Sequence, residues 1–214
     1  MEKEIIQSIS EFLQQGRAKE VQNLVSQALA EGISPNEILT DGLLHGMSII
    51  GEKFKVNEVY VPEVLIASRA MNAGMEVLKP YLVDEDVKPL GKVVLGTVQG
   101  DLHDIGKNLV KIMLQGAGFT VIDLGIDVPA EKFVEAIKNE QPQIVAMSAL
   151  LTTTMTQMET VIAAIKRENL RDAVYIMVGG APVTAQFAEK IGADAYAPDA
   201  ATAASVAKEK MLSA

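Results

Sequence analysis

Val93-Val94-Leu95-Gly96-Thr97-Val98, running directly into Gln99-Gly100-Asp101-Leu102-His103-Asp104-Ile105-Gly106, decides how this chain folds. The first six residues are a continuous apolar run rich in β-branched side chains, the pattern of a strand buried on both faces. The next eight are polar and glycine-containing, so they read as a loop, and Ile105 to Gly116 is long enough for a helix. The same succession recurs downstream. Thr120-Val121-Ile122-Asp123-Leu124, Ile144-Val145-Ala146-Met147-Ser148 and Val174-Tyr175-Ile176-Met177-Val178 are further apolar runs, with helix-length segments at Ala130 to Glu140 and Met155 to Glu168. A short fifth strand near Ala193 to Tyr196 and a last helix from Asp199 to Met211 complete the series. Apolar strands alternating with helices predict an α/β fold: a five-stranded, doubly wound parallel sheet with helices on both faces.

Upstream the periodicity is different. Ile5, Ile6, Ile9, Phe12 and Leu13 share one face at helical spacing, and Val21, Leu24, Val25, Ala28 and Leu29 repeat it after Gly16. Ser34-Pro35-Asn36-Glu37 has the form of a capping box with proline at the first helical position, ahead of an apolar run from Ile38 to Phe54. A fourth helix is expected from Pro62 to Leu78, ending near Pro80. Four helices with short loops predict a small bundle. The charged stretch Asp84-Glu85-Asp86-Val87-Lys88-Pro89 separates the two patterns, which gives a helical domain over 1–88 and an α/β domain over 89–214.

Composition narrows the function. Of the 214 residues 49% are hydrophobic but only 4% aromatic, with ten Met and no Trp, so aliphatic side chains and Met must fill the core. The formal net charge of −9, without a dense Lys/Arg run, argues against nucleic acid and anionic membrane as partners. No secretory-type leader pattern and no apolar stretch of about 18 residues is visible, so a soluble cytoplasmic protein is expected. With no Cys, thiolate metal sites are excluded, and any metal must be held by His, by carboxylates or inside a ligand with its own cage.

In a parallel sheet of order 2-1-3-4-5 ligands bind outside the carboxyl ends of strands 1 and 3. The loop after Val98 contains His103, one of two histidines in the chain, between Asp101 and Asp104. The loop after Met147 is Ser148-Ala149-Leu150-Leu151-Thr152-Thr153-Thr154, a cluster of hydroxyls, and the loop after strand 4 opens with Gly179-Gly180, where backbone can approach a ligand closely. Plainer readings stand beside these. His103 can be a solvated loop residue, Asp104 a helix cap, the threonines caps for the helix near Met155, and the glycines a turn. Asp101 and Asp104 also suit an acidic metal or receiver-like site. Dinucleotide and P-loop phosphate sites lose their support, because neither GxGxxG nor GxxxxGK[ST] is present. What favours a ligand site is that all three loops fall on one edge of one sheet. His45, inside an amphipathic helix, reads as a partly buried structural residue.

Asp101-Leu102-His103-Asp104-Ile105-Gly106, then Ser148-Ala149-Leu150, then Gly179-Gly180, resembles the DxHxxG, SxL and GG elements of corrinoid-binding domains, in order and at the expected loops. These flavodoxin/Rossmann-like domains are shared by cobalamin-dependent methionine synthase, carbon-skeleton mutases and methyl-carrying corrinoid proteins. Gly51-Glu52-Lys53-Phe54 and Tyr60-Val61-Pro62-Glu63-Val64 resemble the helical cap of the methyltransferase branch. The resemblance covers nearly the whole chain. It implies a cobalamin or related corrinoid (a methylcobamide when loaded) with His103 as the lower axial ligand of cobalt, Asp101 bonded to the other ring nitrogen, and Thr154 in the place of a serine that extends this relay. It further implies a nucleotide tail packed against Gly106, Ser148, Leu150, Thr152, Gly179 and Gly180, further cofactor contacts from Gly100, Leu102, Asp104 and Ile105, and Phe54, Tyr60, Val61 and Val64 covering the methyl face.

The function so implied is a methyl carrier between a substrate-specific methyltransferase and a second methyltransferase acting on a thiol or tetrahydrofolate acceptor, with a reductive activase as a further partner. Such a chain is a non-self-sufficient subunit, since it has no Cys and no His cluster with which to activate a donor or a thiol. The two halves are expected to move about the 84–89 linker. The alternatives are a B12-sensing regulatory protein, against which the acidic charge and missing DNA-binding module weigh, a mutase subunit, against which the four-helix cap weighs, and a flavodoxin-like domain binding something else.

Overall fold

The computed structural model describes residues 2–84 and 88–213; Glu85, Asp86 and Val87, the middle of the expected linker, lie outside the described residues. The chain divides into two compact units, Met1–Lys88 and Pro89–Ala214.

The first unit is helical. Helix α1 (Glu2–Gln14) buries Ile6, Ile9 and Leu13, and α2 (Ala18–Ala30) buries Val21, Val25 and Ala28, the residues their apolar stripes select. The third helical run starts as α3 (Pro35–Glu37), passes through a π-helical stretch at Ile38–Leu44 and continues as α4 (His45–Lys55). Pro35 stands at its first position as expected, but the Ser34 hydroxyl does not cap the turn, so the helix start rests on the preset φ of proline. The capping arrangement appears instead at α5 (Val61–Asp84), where Glu63 accepts a bond from the Tyr60 N–H at 3.0 Å. Helix α5 also runs through Pro80, where the sequence predicts an end. Pro80 and Glu76 are both exposed, so the carbonyl that proline leaves unbonded faces water, while fully buried Leu78 anchors the turn. His45 is exposed rather than partly buried.

The second unit is the expected α/β sheet. Strands β1 (Gly91–Thr97), β2 (Phe119–Asp123), β3 (Ile144–Ser148), β4 (Tyr175–Gly179) and β5 (Ala195–Ala197) lie in the order β2-β1-β3-β4-β5, every pair parallel. Helices α6 (Ile105–Gly116), α7 (Ala130–Glu140), α8 (Gln157–Arg167), α9 (Ala185–Ile191) and α10 (Ala200–Leu212) connect and cover them. Side chains alternate between two cores. Val94, Val145, Met147, Ile176 and Val178 pack with Phe133, Ile137, Met158 and Ile162 of α7 and α8, while Val93, Leu95, Ile144 and Met177 pack with Leu114 of α6 and Ala203 and Ala207 of α10. Gly96 makes room for the Phe133 ring, whose Cζ would lie 2.8 Å from an added Cβ. The register pairs Thr97 with Ser148, Ser148 with Gly179 and Gly179 with Ala197, so four strands end level and their loops leave from a common edge.

Candidate functional site

Asp101 is the centre of that edge. It has no exposed surface, and its two oxygens accept four hydrogen bonds. Oδ1 takes the His103 ring Nδ1 at 2.6 Å and the His103 backbone N–H at 3.1 Å; Oδ2 takes the Leu150 N–H at 2.7 Å and the Thr154 hydroxyl at 2.6 Å. Burial pushes the Asp101 carboxyl up, but the bonds from Thr154, from Leu150 and from His103 outweigh it and hold it well below the usual carboxylate range. An ionised Asp101 can only accept, so the bridging proton sits on Nδ1 of His103 and the lone pair of a neutral ring lies on Nε2. Among the described residues Nε2 has no hydrogen-bond partner, and the His103 side chain is 50% exposed. The His103 carbonyl is tied down as well, accepting from the hydroxyl of buried Thr97 at 2.9 Å.

Thus Asp101, His103, Leu150 and Thr154 meet at one point, although Thr154 lies 53 residues from Asp101. Leu150 does so through its backbone N–H, which no side-chain reading reveals. Asp104 is not the helix cap by side chain: it occupies the N-cap position of α6 without a capping bond and takes the Asn108 amide at 3.1 Å instead. Thr152 is exposed and Ser148 half-buried. Gly180 departs from the reading of a glycine kept small for a ligand. At φ +127° its added Cβ would fall 1.8 Å from the Ala149 carbonyl oxygen, so it is the chain's own backbone that excludes a side chain. Gly179 is similarly confined by the Ala197 carbonyl, 2.8 Å from an added Cβ. Gly106 is the opposite case, since an added Cβ there meets nothing within 4 Å.

Sequence reading missed an ion pair between buried Lys107 of α6 and half-buried Asp123 at the end of β2. Lys107, only 3% exposed, bonds both oxygens of Asp123 at 2.7 and 2.8 Å, and Lys111 reaches the same carboxylate at 3.2 Å. Burial raises the Asp123 carboxyl, but the bond from Lys107 and then that from the Gly125 N–H bring it below its ordinary value. The one signal for it was an aspartate closing an otherwise apolar strand.

These residues fit a corrinoid. Leu102 (67% exposed), Ile105 (78%), Ile126, Leu150 and Leu151 form an uncovered apolar rim around His103, suited to a large flat apolar ring. Nε2 is free to ligate, and open space borders Gly106 at the start of α6. In the helical unit Phe54 and Val61 are half-buried and Tyr60 is 62% exposed. Val64 is fully buried, so contrary to expectation it presents no surface to a ligand in this conformation; it is spent on packing in α5.

A doubly wound sheet with a histidine–aspartate loop at its switch point and a helical unit ahead of it defines the corrinoid-binding class. Residues 91–206 match the model of a B12 binding domain, and residues 5–79 match a second model described in the same words. The chain belongs to the B12-binding family, and its cofactor is a corrinoid, which contains cobalt. Trimethylamine corrinoid protein 1 of Methanosarcina acetivorans is 47% identical over 88% of this chain and 88% of its own length. Dimethylamine corrinoid protein 2 of the same organism is 42% identical over 98% of this chain and 97% of its own length. Among solved structures, the methanol:cobalamin methyltransferase complex MtaBC from Methanosarcina barkeri matches with a TM-score of 0.89 at 29% identity, covering 99% of this chain and 81% of that one.

Proposed function

We propose that this chain is the cytoplasmic methyl carrier of a methylamine-type methyltransferase system, binding its corrinoid through His103. The carrier accepts the methyl group from a substrate-specific methyltransferase and presents it to a second one acting on a thiol or tetrahydrofolate acceptor, and a reductive activase maintains it. A methylamine donor is supported by identities of 47% and 42% to trimethylamine and dimethylamine corrinoid proteins, against 29% to the methanol complex. No observation favours the regulatory alternative. Among the described residues no helix is long and apolar enough to cross a membrane.

The observation that carries the reading is the bond from His103 Nδ1 to a buried, four-times-bonded Asp101, 2.6 Å long. When bound, the corrinoid supplies a cobalt that takes up and releases the methyl group, leaving binding and orientation to the chain. His103 would hold the metal through Nε2. Asp101 fixes the ring's tautomer and its direction, and Thr154 and the Leu150 N–H keep Asp101 charged. Leu102, Ile105, Leu150 and Leu151 would lie against the bound corrinoid and exclude water from it. Gly106, with Ser148, Thr152 and Gly179-Gly180 at the ends of strands that finish level or in the loops after them, would flank the tail.

Anaerobic absorbance of the full chain with hydroxocobalamin tests this. A spectrum with histidine in place of the cofactor's own base is expected, and His103→Ala should lose it. Uptake with the same spectrum by His103→Ala would refute the assignment.

A further inference from the structure

The loop that carries His103 has little packing to hold it. Leu102 is 67% exposed, the His103 side chain 50%, and Asp104 and Ile105 are exposed too. Hydrogen bonds must therefore fix its position, and a single residue from another loop supplies two of them. Asp127, between β2 and α7, accepts the Gly100 N–H on Oδ1 at 2.7 Å and donates its own N–H to the Asp101 carbonyl at 3.0 Å. The two bonds grip consecutive residues, the second of them two positions ahead of the histidine.

Asp127 is itself held on the sheet. Its neighbour Val128 is buried, bridges Val98 in parallel, and donates its N–H to the Thr97 carbonyl at 3.0 Å. The Asp127 backbone is left-handed, φ 52°, which aspartate, asparagine and glycine tolerate better than other residues. Gly100, at φ +81°, turns so that its N–H points at the carboxylate. The Asp127 side chain is exposed and fills no core, so what it contributes is its one bond from the Gly100 N–H, set beside the backbone bond to Asp101, rather than volume.

We infer that Asp127 is a positioning residue for His103, clamping Gly100 and Asp101 so that the Asp101 carboxylate meets His103 Nδ1, the Leu150 N–H and Thr154 together. The inference rests on His103 being the cobalt ligand. Three substitutions separate the contributions. Asp127→Asn keeps an acceptor oxygen and tolerance of the left-handed backbone, Asp127→Gly keeps only the backbone, and Asp127→Ala keeps neither.

The test uses the full chain labelled at histidine with heavy nitrogen, loaded with hydroxocobalamin and reduced to Co(II). Electron paramagnetic resonance then reports the ligand, because heavy nitrogen of spin one half splits the cobalt lines into doublets, whereas the cofactor's unlabelled base gives triplets. Wild-type protein is expected to give doublets, and Asp127→Asn to match it. Asp127→Gly and Asp127→Ala should bind hydroxocobalamin about tenfold more weakly or worse and show a reduced doublet fraction, the cost usual for a group that orients a metal ligand. Apo-protein melting of Asp127→Gly should stay close to wild type, and if Asp127→Ala does not fold, the Gly and Asn pair decides. Wild-type affinity and doublets in Asp127→Gly overturn the clamp, as does an affinity loss in Asp127→Gly that merely tracks loss of folded apo-protein, or an equal loss in Asp127→Asn. Triplets in the wild type overturn the ligand assignment itself, and the clamp with it.

Discussion

Replacing Asp101 by Asn leaves shape unchanged and alters only charge and hydrogen bonding. The native carboxylate accepts four bonds while fully buried. Asparagine offers one oxygen and one NH2 group, and each orientation fails differently. With the oxygen toward His103, the ring keeps its tautomer, the Thr154 hydroxyl can turn wholly to the Leu151 carbonyl at 3.1 Å, and the Leu150 N–H is left facing another donor. With the NH2 toward His103, Nδ1 must become the acceptor, which moves the ring proton to Nε2 and blocks ligation. One orphaned buried N–H and the weakening of charge-assisted bonds together should cost about 2–4 kcal/mol of apo-protein stability. Corrinoid affinity should fall about 10- to 100-fold. Urea unfolding of the full chain followed by circular dichroism measures the first, and absorbance titration with hydroxocobalamin the second. An Asp101→Asn protein within about 0.5 kcal/mol of wild type, with unaltered affinity and spectrum, would refute the role assigned to the four bonds.

Gly180→Ala should destabilise the apo-protein by more than about 3 kcal/mol, since Cβ and a backbone carbonyl oxygen cannot share the space and the φ is unsuited to alanine; an unchanged urea midpoint would contradict this. Gly106→Ala should do the reverse. Apo stability should hold or rise by about 0.5–1 kcal/mol, as for any glycine replaced by alanine in a helix, while hydroxocobalamin affinity drops, and a variant that binds normally would mean that no part of the ligand uses that space. Asp101 and Asp123 both titrate in the folded chain below the unfolded aspartate value of about 3.9, so their stabilisation is complete above that value and lost as pH falls through the folded ones. Stability measured from pH 6 downward should therefore decline only in the acid limb, by up to about 1.4 kcal/mol per pH unit for each proton taken up, and Asp101→Asn should remove one such proton; an identical acid limb in the variant would oppose the account.

Much of the fold was legible because periodicity and punctuation are local properties. The boundaries of α6 and α7 coincide with those read from the chain, and four apolar runs and one short fifth segment became five parallel strands in the expected order. Where local signals misled, surroundings overrode them. Pro80 did not stop α5 because its lost bond faces water, α9 went unread because its seven residues are too few for a periodic stripe, and the Ile38–Leu44 π-helical stretch has no local signature.

The sequence by itself determined which loops share an edge and which residue types they hold: an imidazole, a carboxylate, hydroxyls and glycines, since in an all-parallel sheet every strand's carboxyl end lies on the same edge. Only the tertiary structure decided which of these touch. That Asp101 is closed off by Thr154, by the Leu150 N–H and by His103 at once, that Asp127 grips its backbone from a third loop, and that Gly180 is confined by the Ala149 carbonyl while Gly106 borders open space are matters of three-dimensional placement. A hydrogen bond needs its partners within about 3 Å, and residues that approach so closely across three strands carry no mark of it in their own neighbourhood of the chain.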